Sequence, residues 1–91
     1  MMHKKTDTQM TERLFRLIAS IESAEDCKLL LSDLCTQREI EQMAQRIRAA
    51  ELLLDGKTYI QVKQECDISS ATLSRVSRCV QYGKGYSKFL K

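Results

Sequence analysis

The sequence contains no proline and no tryptophan, and only three of its 91 residues are glycine. These scarcities exclude a collagen-like or linker sequence, and an apolar content of 43% speaks against a disordered chain. No apolar run approaches the roughly 18 residues of a membrane-spanning helix, and the polar start lacks a signal-peptide pattern, so we expect a cytoplasmic protein without membrane contact. The length predicts one domain, placed at residues 9–91 behind a disordered tail at residues 1–8.

The sequence is also poor in the residues that build metal and catalytic sites. Its single histidine, His3, lies in the predicted tail, and none of its four cysteines forms a C-x-x-C pair. We therefore predict no metal site and interpret the cysteines as reduced, mostly buried thiols. There is no glycine-rich phosphate loop and no paired-acid motif, so the chain is predicted not to be an enzyme and to have no catalytic residue.

Acidic residues become rare toward the C-terminus. Residues 1–56 carry eight basic and ten acidic side chains, whereas residues 57–91 carry seven basic and two acidic ones. A basic surplus is often only a solvated surface, but it also attracts nucleic acid. The motifs in this last third must decide between the two interpretations.

Apolar residues recur every three or four positions, which predicts an all-helical fold. We predict a second helix over residues 24–34 after the capping serine Ser23, a third over residues 37–55 ended by Gly56, and a fourth from the Thr58 capping box to about Glu65. The second helix is expected to bury Cys27, Leu30, Leu31 and Leu34. The first helix carries an amphipathic stripe of Leu14, Phe15, Leu17, Ile18 and Ile21.

The stretch at residues 57–80 has the layout of a helix-turn-helix. Two short helices flank the connection Cys66-Asp67-Ile68, and Ser69 or Ser70 caps the second helix. The outer face of that second helix carries short hydroxyl side chains and arginines but no carboxylate. The core between the two helices is predicted to consist of Val62, Cys66, Ile68, Leu73 and Val76.

Such a helix start suits the major groove of DNA. Its amides attract phosphate, and its short side chains allow close approach to base edges. The predicted base contacts are Ser70, Ala71 and Thr72. The predicted phosphate contacts are Lys57, Lys63, Ser74, Arg75 and Arg78. The tyrosines could stack on nucleic acid, but we expect them to be half-buried and to pack the C-terminal segment, residues 81–91, onto the domain; they are Tyr59, Tyr82 and Tyr86.

Several separated motifs occur in the order found in one family. They are D-L-C-T-Q-R-E-I at residues 33–40, A-Q-R-I-R at 44–48, G-K-T-Y at 56–59, A-T-L-S-R-V at 71–76 and Y-G-K-G-Y at 82–86. Over roughly residues 10–90 the chain thereby resembles the YerC/YecD group of Trp-repressor-related proteins. The resemblance implies an all-α, Trp-repressor-like bundle with a C-terminal helix-turn-helix. It also implies an intertwined homodimer, held by residues 9–55, and a role in transcriptional regulation.

The resemblance further implies a candidate effector pocket. Thr36, Arg46 and Arg75 match the three positions that hold the indole ligand of the Trp repressor. Val76 stands where that protein has glycine, and its branched side chain would intrude on an indole-sized space, so we predict neither tryptophan nor another cofactor. From the residues alone, Thr36 is a helix cap and Arg46 a partner for a nearby carboxylate.

The sequence therefore predicts a homodimeric transcriptional regulator, a repressor, that binds double-stranded DNA sequence-specifically. Two recognition helices would enter successive major grooves about 34 Å apart on a near-palindromic operator. The alternative is a helical protein-interaction module whose basic head does not read DNA sequence.

Overall fold

The computed structural model describes residues 3–91, with side chains from Asp7 onward. This part of the chain forms helices and no strand, which confirms the predicted all-α class. The helices are α1 His3–Ala19, α2 Ala24–Leu34, α3 Gln37–Leu54, α4 Tyr59–Glu65, α5 Ser70–Tyr82 and α6 Gly85–Leu90. They fall into two compact units, of which the first ends at Thr36 and the second spans Gln37–Lys91.

The first unit starts its helix earlier than the sequence predicts. A disordered tail is expected at residues 1–8, but residues 3–8 belong to α1, and residues 1–2 lie outside the described part. No glycine or proline interrupts this stretch, and the Thr11 hydroxyl donates to the carbonyl of Asp7 at 2.7 Å, which is compatible with a continuous helix. The predicted cap of α2 is confirmed, since the amide of Asp26 donates to Ser23 Oγ at 3.0 Å.

Within the first unit, α1 and α2 leave much apolar surface uncovered. Phe15 is 58% exposed and Leu34 is 52% exposed. No residue of α2 is buried, so the expected burial of its apolar face is not achieved by the single chain. Large exposed apolar faces of this kind are typical of surfaces that another molecule covers.

The second unit has a core in which α3 packs against α4, α5 and α6. Its centre is fully buried around Leu73, Val62 and Val76. Ala49 and Ala50 are also buried, and their small side chains let α3 approach its neighbours closely. The five residues predicted for the helix-turn-helix core are all buried. The sequence groups α3 with the dimerisation helices, whereas this packing joins it to the two-helix region, residues 57–82, which we call the head.

The link between α3 and α4 is set by Gly56. Its φ of 90° lies in the left-handed region, as expected for a glycine that ends a helix. The amide of Gly56 donates to the carbonyl of Leu53 and that of Lys57 to the carbonyl of Leu52, both at 3.0 Å, which is the Schellman pattern. The Thr58 capping box then starts α4, as predicted.

The connection between α4 and α5 needs no glycine. No described residue other than Gly56 has a positive φ, so Asp67 and its neighbours adopt ordinary backbone conformations. The amide of Ile68 donates to the carbonyl of Cys66 at 2.9 Å, and both side chains are buried. Ser69, rather than Ser70, is the cap of α5.

The C-terminal segment packs on the second unit mainly through α6. Tyr86 and Leu90 lie against the core, so the half-buried position expected for Tyr86 is confirmed. The same expectation is wrong for Tyr82, which is 81% exposed, whereas Tyr59 in α4 is about half exposed, at 48%. In α5 the buried positions are Leu73, Val76 and Ser77, whereas Tyr82 lies about two and a half turns after Leu73 and so on the opposite face of the helix.

Candidate nucleic-acid interface

The start of α5 presents small side chains to solvent. Because Leu73 and Val76 anchor the inner face of the helix, Ser70 and Ala71 are exposed, and Thr72 is half-buried. No acidic residue lies in the first turn. All three predicted base-contact residues therefore lie together at one accessible helix end, and short side chains there permit close approach to a ligand.

The serine and threonine at this end hydrogen-bond to each other. The amide of Thr72 donates to Ser69 Oγ at 3.1 Å, which caps the helix. Ser69 Oγ in turn donates to Thr72 Oγ1 at 2.9 Å. The hydroxyl hydrogen of Thr72 is not used in this pair and remains able to donate.

A second contact ties α4 to α5. Lys63 Nζ donates to Ser70 Oγ at 2.7 Å, between two exposed residues seven positions apart in the chain. From the sequence, these side chains are predicted to have separate roles, Lys63 at phosphate and Ser70 at base edges. Their spacing of seven residues across a turn gives no helical signal, so only the folded chain reveals the pair.

Three of the five predicted phosphate contacts border one groove of the head. Ser74, Arg75 and Arg78 are exposed, and together with Ala71 they border a shallow groove along α5. Lys57 is exposed at the entry to α4. Among the described residues no carboxylate forms an ion pair with these cations, so their charge is available to a polyanion.

One carboxylate of the head is paired, and sequence reasoning missed this pair. Arg48 in α3 lies 3.5 Å from the carboxylate of Glu65 and 3.8 Å from that of Glu51. The spacing of Arg48 and Glu51 on one helix is readable from the sequence, but the contact with Glu65 depends on how α3 meets α4.

The buried thiol of Cys66 lies next to this pair. Burial raises its pKa, the charge of Arg48 lowers it, and the charge of Glu65 raises it, with a net rise. The thiol is therefore held in its neutral form, in keeping with a structural role. The other cysteines, Cys27, Cys35 and Cys79, are half-buried free thiols rather than the mostly buried ones expected.

Two of the three residues predicted for an effector pocket lie on one groove. Arg46 and Arg75 border a cleft of about 640 Å³ between α3, α5 and α6, with apolar walls that include Ile47 and Phe89. Val76, whose side chain is predicted to intrude on an indole-sized space, also lines this cleft. All residues that line this cleft belong to the second unit, whereas Thr36, the third predicted pocket residue, belongs to the first unit. No carboxylate within the described residues forms an ion pair with Arg46, contrary to the simpler interpretation of this residue.

A polar groove of about 340 Å³ beside the start of α5 was not predicted. It runs between α3 and the turn, and Arg46 borders it as well. The regular spacing of Arg38, Gln42 and Gln45 on one face of α3 is the signal that could have revealed it. Its remaining lining residues are Glu41, Asp67, Ile68, Ser69 and Thr72.

The described part of the chain contains neither a group of metal-ligating residues nor a helix suited to span a membrane. Across residues with described side chains, histidines, cysteines and acids nowhere gather into a group of three that could hold a metal ion. None of the helices within residues 3–91 is long and apolar enough to cross a membrane.

Comparison with known proteins gives consistent matches. The family model described as Trp repressor protein matches residues 9–91. A Bacillus subtilis (strain 168) protein named YerC, described as uncharacterized, is 43% identical over 72 residues, which are 79% of this chain and 69% of that protein.

Solved structures agree in fold. A provisionally described Trp repressor from Staphylococcus aureus superposes with a TM-score of 0.85 at 37% identity, over 90% of this chain and 83% of the other. A TrpR-like protein from Eubacterium eligens ATCC 27750 gives 0.84 at 35% identity, over 92% and 88% of the two chains.

Proposed function

This chain belongs to the Trp repressor protein family, and from that premise we propose that it binds double-stranded DNA sequence-specifically as a transcriptional regulator, acting as a repressor. In this proposal α4, the turn and α5 are a helix-turn-helix, with α5 in the major groove. The observation that carries the proposal is the accessible start of α5, where small hydroxyl side chains lie among cations and no acid occupies the first turn.

The proposed contacts divide into two groups. Ser70, Ala71 and Thr72 meet base edges, because they lie at the exposed start of α5 and are short enough for close approach. The flanking cations and hydroxyl neutralise or bind phosphates and so fix the position of the helix. This second group consists of Lys57, Ser74, Arg75 and Arg78, with Lys63 beside them.

We propose that the protein acts as a homodimer through residues 9–55. The support is the exposed apolar surface of α1 and α2, including Phe15 and Leu34, which a second copy would cover. Two-fold symmetry would place two recognition helices about 34 Å apart, so the operator is a near-palindrome. Light scattering coupled to size exclusion should give twice the chain mass at micromolar concentration, and a monomer would contradict this arrangement.

The decisive experiment is selection of bound sequences from a random DNA pool. Enrichment of a near-palindrome with half-sites one helical turn apart would support binding, specificity and symmetry together. Failure to enrich any sequence would contradict the proposal and favour the second candidate function, a helical protein-interaction module with a basic surface.

Salt dependence separates the two candidates independently. If about six phosphates are contacted, counterion release should lower DNA affinity by roughly a thousandfold between 50 and 200 mM salt. Docking of a protein through an exposed helix face would respond far less. The exposed cations of the head favour the DNA proposal.

The groove that joins Arg46 and Arg75 is a candidate effector pocket, with Thr36 proposed to complete it from a partner subunit. Guanidinium groups beside apolar walls suit a small carboxylate with an apolar body. Val76 argues against tryptophan. Thermal melting with a panel of small carboxylates tests the pocket: a shift that Arg46→Ala removes supports it, and no shift contradicts it.

A further inference from the structure

The hydrogen bond between Lys63 and Ser70 has a fixed direction. An ammonium group carries three donors and no acceptor, so Lys63 Nζ must donate and Ser70 Oγ must accept across their 2.7 Å contact. Ser70 therefore keeps its own hydroxyl hydrogen for another partner, and Lys63 keeps two N–H groups. Both side chains are exposed. The pair thus offers adjacent donors from the end of α4 and the first residue of α5.

Thr72, two residues further along α5, is likewise placed to donate a hydrogen bond rather than to accept one. Its Oγ1 already accepts from Ser69 Oγ at 2.9 Å, so its unused hydroxyl hydrogen is free to donate. The positive charge of Lys63 beside Ser70 further disfavours an approaching donor. The accessible start of α5 consequently favours hydrogen-bond acceptors over amino groups.

Base pairs differ in what they offer to such a surface. In the major groove guanine presents two neighbouring acceptors, N7 and O6, whereas adenine presents one acceptor next to an amino donor and cytosine presents an amino donor. Two adjacent donors therefore match guanine better than any other base. An exposed ammonium facing phosphate alone would not require the serine.

We propose that Lys63 and Ser70 act as one donor pair that reads a guanine in each half-site. This inference rests on the proposed DNA-binding function and changes the role of Lys63 from a phosphate contact to a specificity-determining residue. Ser70 contributes one donor directly and holds the ammonium at the helix start.

The test compares four variants, two single variants of the pair, their double variant and a control, with the wild-type protein on the duplex that the wild type selects from a random pool. Lys63→Ala and Ser70→Ala each remove one member of the pair, and the double variant removes both. Lys28→Ala, in α2, makes the same change in net charge as Lys63→Ala but outside the head. Selection is repeated with each variant. Affinity is also measured on duplexes in which each guanine of the half-site is replaced in turn by 7-deazaguanine, which lacks the N7 acceptor. Circular dichroism confirms that every variant is folded.

The expected result is position-specific. In the selections, the preference for guanine at one position of the half-site should be lost in Lys63→Ala and in Ser70→Ala but kept in Lys28→Ala. In the affinity measurements, 7-deazaguanine at that position should weaken wild-type binding about tenfold but change binding by Lys63→Ala and Ser70→Ala little. The double variant should lose no more specificity than either single variant, because the two residues act together.

Three outcomes would overturn the proposal. If Lys63→Ala weakens all duplexes equally and selects the same sequence as the wild type, Lys63 is a phosphate contact and DNA binding stands without the pair. If the selected half-site contains no guanine, the pair does not read one, again with DNA binding intact. If the wild type selects and binds no DNA, the proposed function fails and the donor pair fails with it.

Discussion

Arg48 in α3 and Glu65, the last residue of α4, form an ion pair with a nitrogen and an oxygen 3.5 Å apart. Both side chains are about half exposed, so the pair adds at most about 1 kcal/mol to the free energy of unfolding. Its larger effect is electrostatic. Glu65 and Asp67 are the only acids in residues 57–91, and Arg48 offsets one of them beside the proposed DNA-binding surface.

We expect Arg48→Ala to weaken DNA binding by about threefold at low salt, because it leaves the negative charge of Glu65 facing a polyanion. Glu65→Gln should strengthen binding by a similar factor, and both effects should shrink at 200 mM salt. Fluorescence anisotropy with a labelled duplex measures the affinities. Thermal melting should show little change for either variant, and tighter binding by Arg48→Ala would contradict the electrostatic account.

The hydroxyl of Thr72 should contribute to sequence discrimination rather than to general affinity. Thr72→Val keeps the branched shape but removes the donor, so we expect a loss of about 1–3 kcal/mol on the selected duplex and little change on random DNA. Competition binding with both DNAs gives the two values. Lys57→Ala is the matched control, since a phosphate contact should weaken both DNAs to the same extent. Equal losses for Thr72→Val would remove Thr72 from the base contacts.

Most of the fold could be predicted from the sequence because the relevant signals are local. The caps at Ser23 and Thr58 and the left-handed Gly56 act within a few residues, and their predicted roles are confirmed. The start of α1 at His3 was not predicted, because polar residues without a glycine or proline are compatible with both tail and helix. The exposure of Tyr82 was missed although periodicity indicates it, since nine residues at about 100° each place Tyr82 about 180° around α5 from the buried Leu73.

The candidate site was predictable only as a set of exposed residues. The small and basic composition of α5 marks its outer face, but the contact of Lys63 with Ser70 crosses a turn, and that of Arg48 with Glu65 crosses two helices. Such pairs depend on tertiary packing. For the same reason the groove between Arg46 and Arg75 could be inferred only through the family resemblance.

The buried centre of the second unit should dominate its stability. Leu73 has no exposed surface, so Leu73→Ala should lower the free energy of unfolding by about 2–5 kcal/mol through lost burial and a cavity. Ile60 is 70% exposed, so Ile60→Ala should change the free energy of unfolding by less than about 0.5 kcal/mol. Urea denaturation at a fixed protein concentration measures both. Similar losses for the two variants would mean that the core is not centred on Leu73.

The apolar surface of the first unit should control association. Phe15→Glu places a charge on a surface that we propose a second copy covers, so we expect the variant to shift from dimer to monomer at micromolar concentration. Ile60→Glu introduces the same charge on an exposed apolar residue of the head and should remain dimeric. Light scattering coupled to size exclusion distinguishes the species. A dimeric Phe15→Glu would exclude Phe15 from the interface.

The neutral thiol of Cys66 should make stability depend on alkaline pH. Because burial raises its pKa above that of the unfolded chain, the folded state keeps a proton that the unfolded state loses, and this favours unfolding once pH exceeds the ordinary thiol value of about 8.5. Below that value the contribution of neutral Cys66 is fully present. It is then lost progressively until the pH passes the raised pKa.

The variant Cys66→Ala has no thiol at this position to titrate. In urea denaturation, the difference in free energy of unfolding between the wild type and Cys66→Ala should therefore narrow as pH rises from 8 to 10. Cys27→Ala, which replaces a half-buried thiol, serves as the control. In parallel, iodoacetamide at pH 8 should modify Cys66 more slowly than Cys79 in the folded protein and at a similar rate in urea, as mass spectrometry of the digested protein would show. Rapid modification of folded Cys66, or a stability difference that stays constant with pH, would contradict the assignment of Cys66 as a buried neutral thiol.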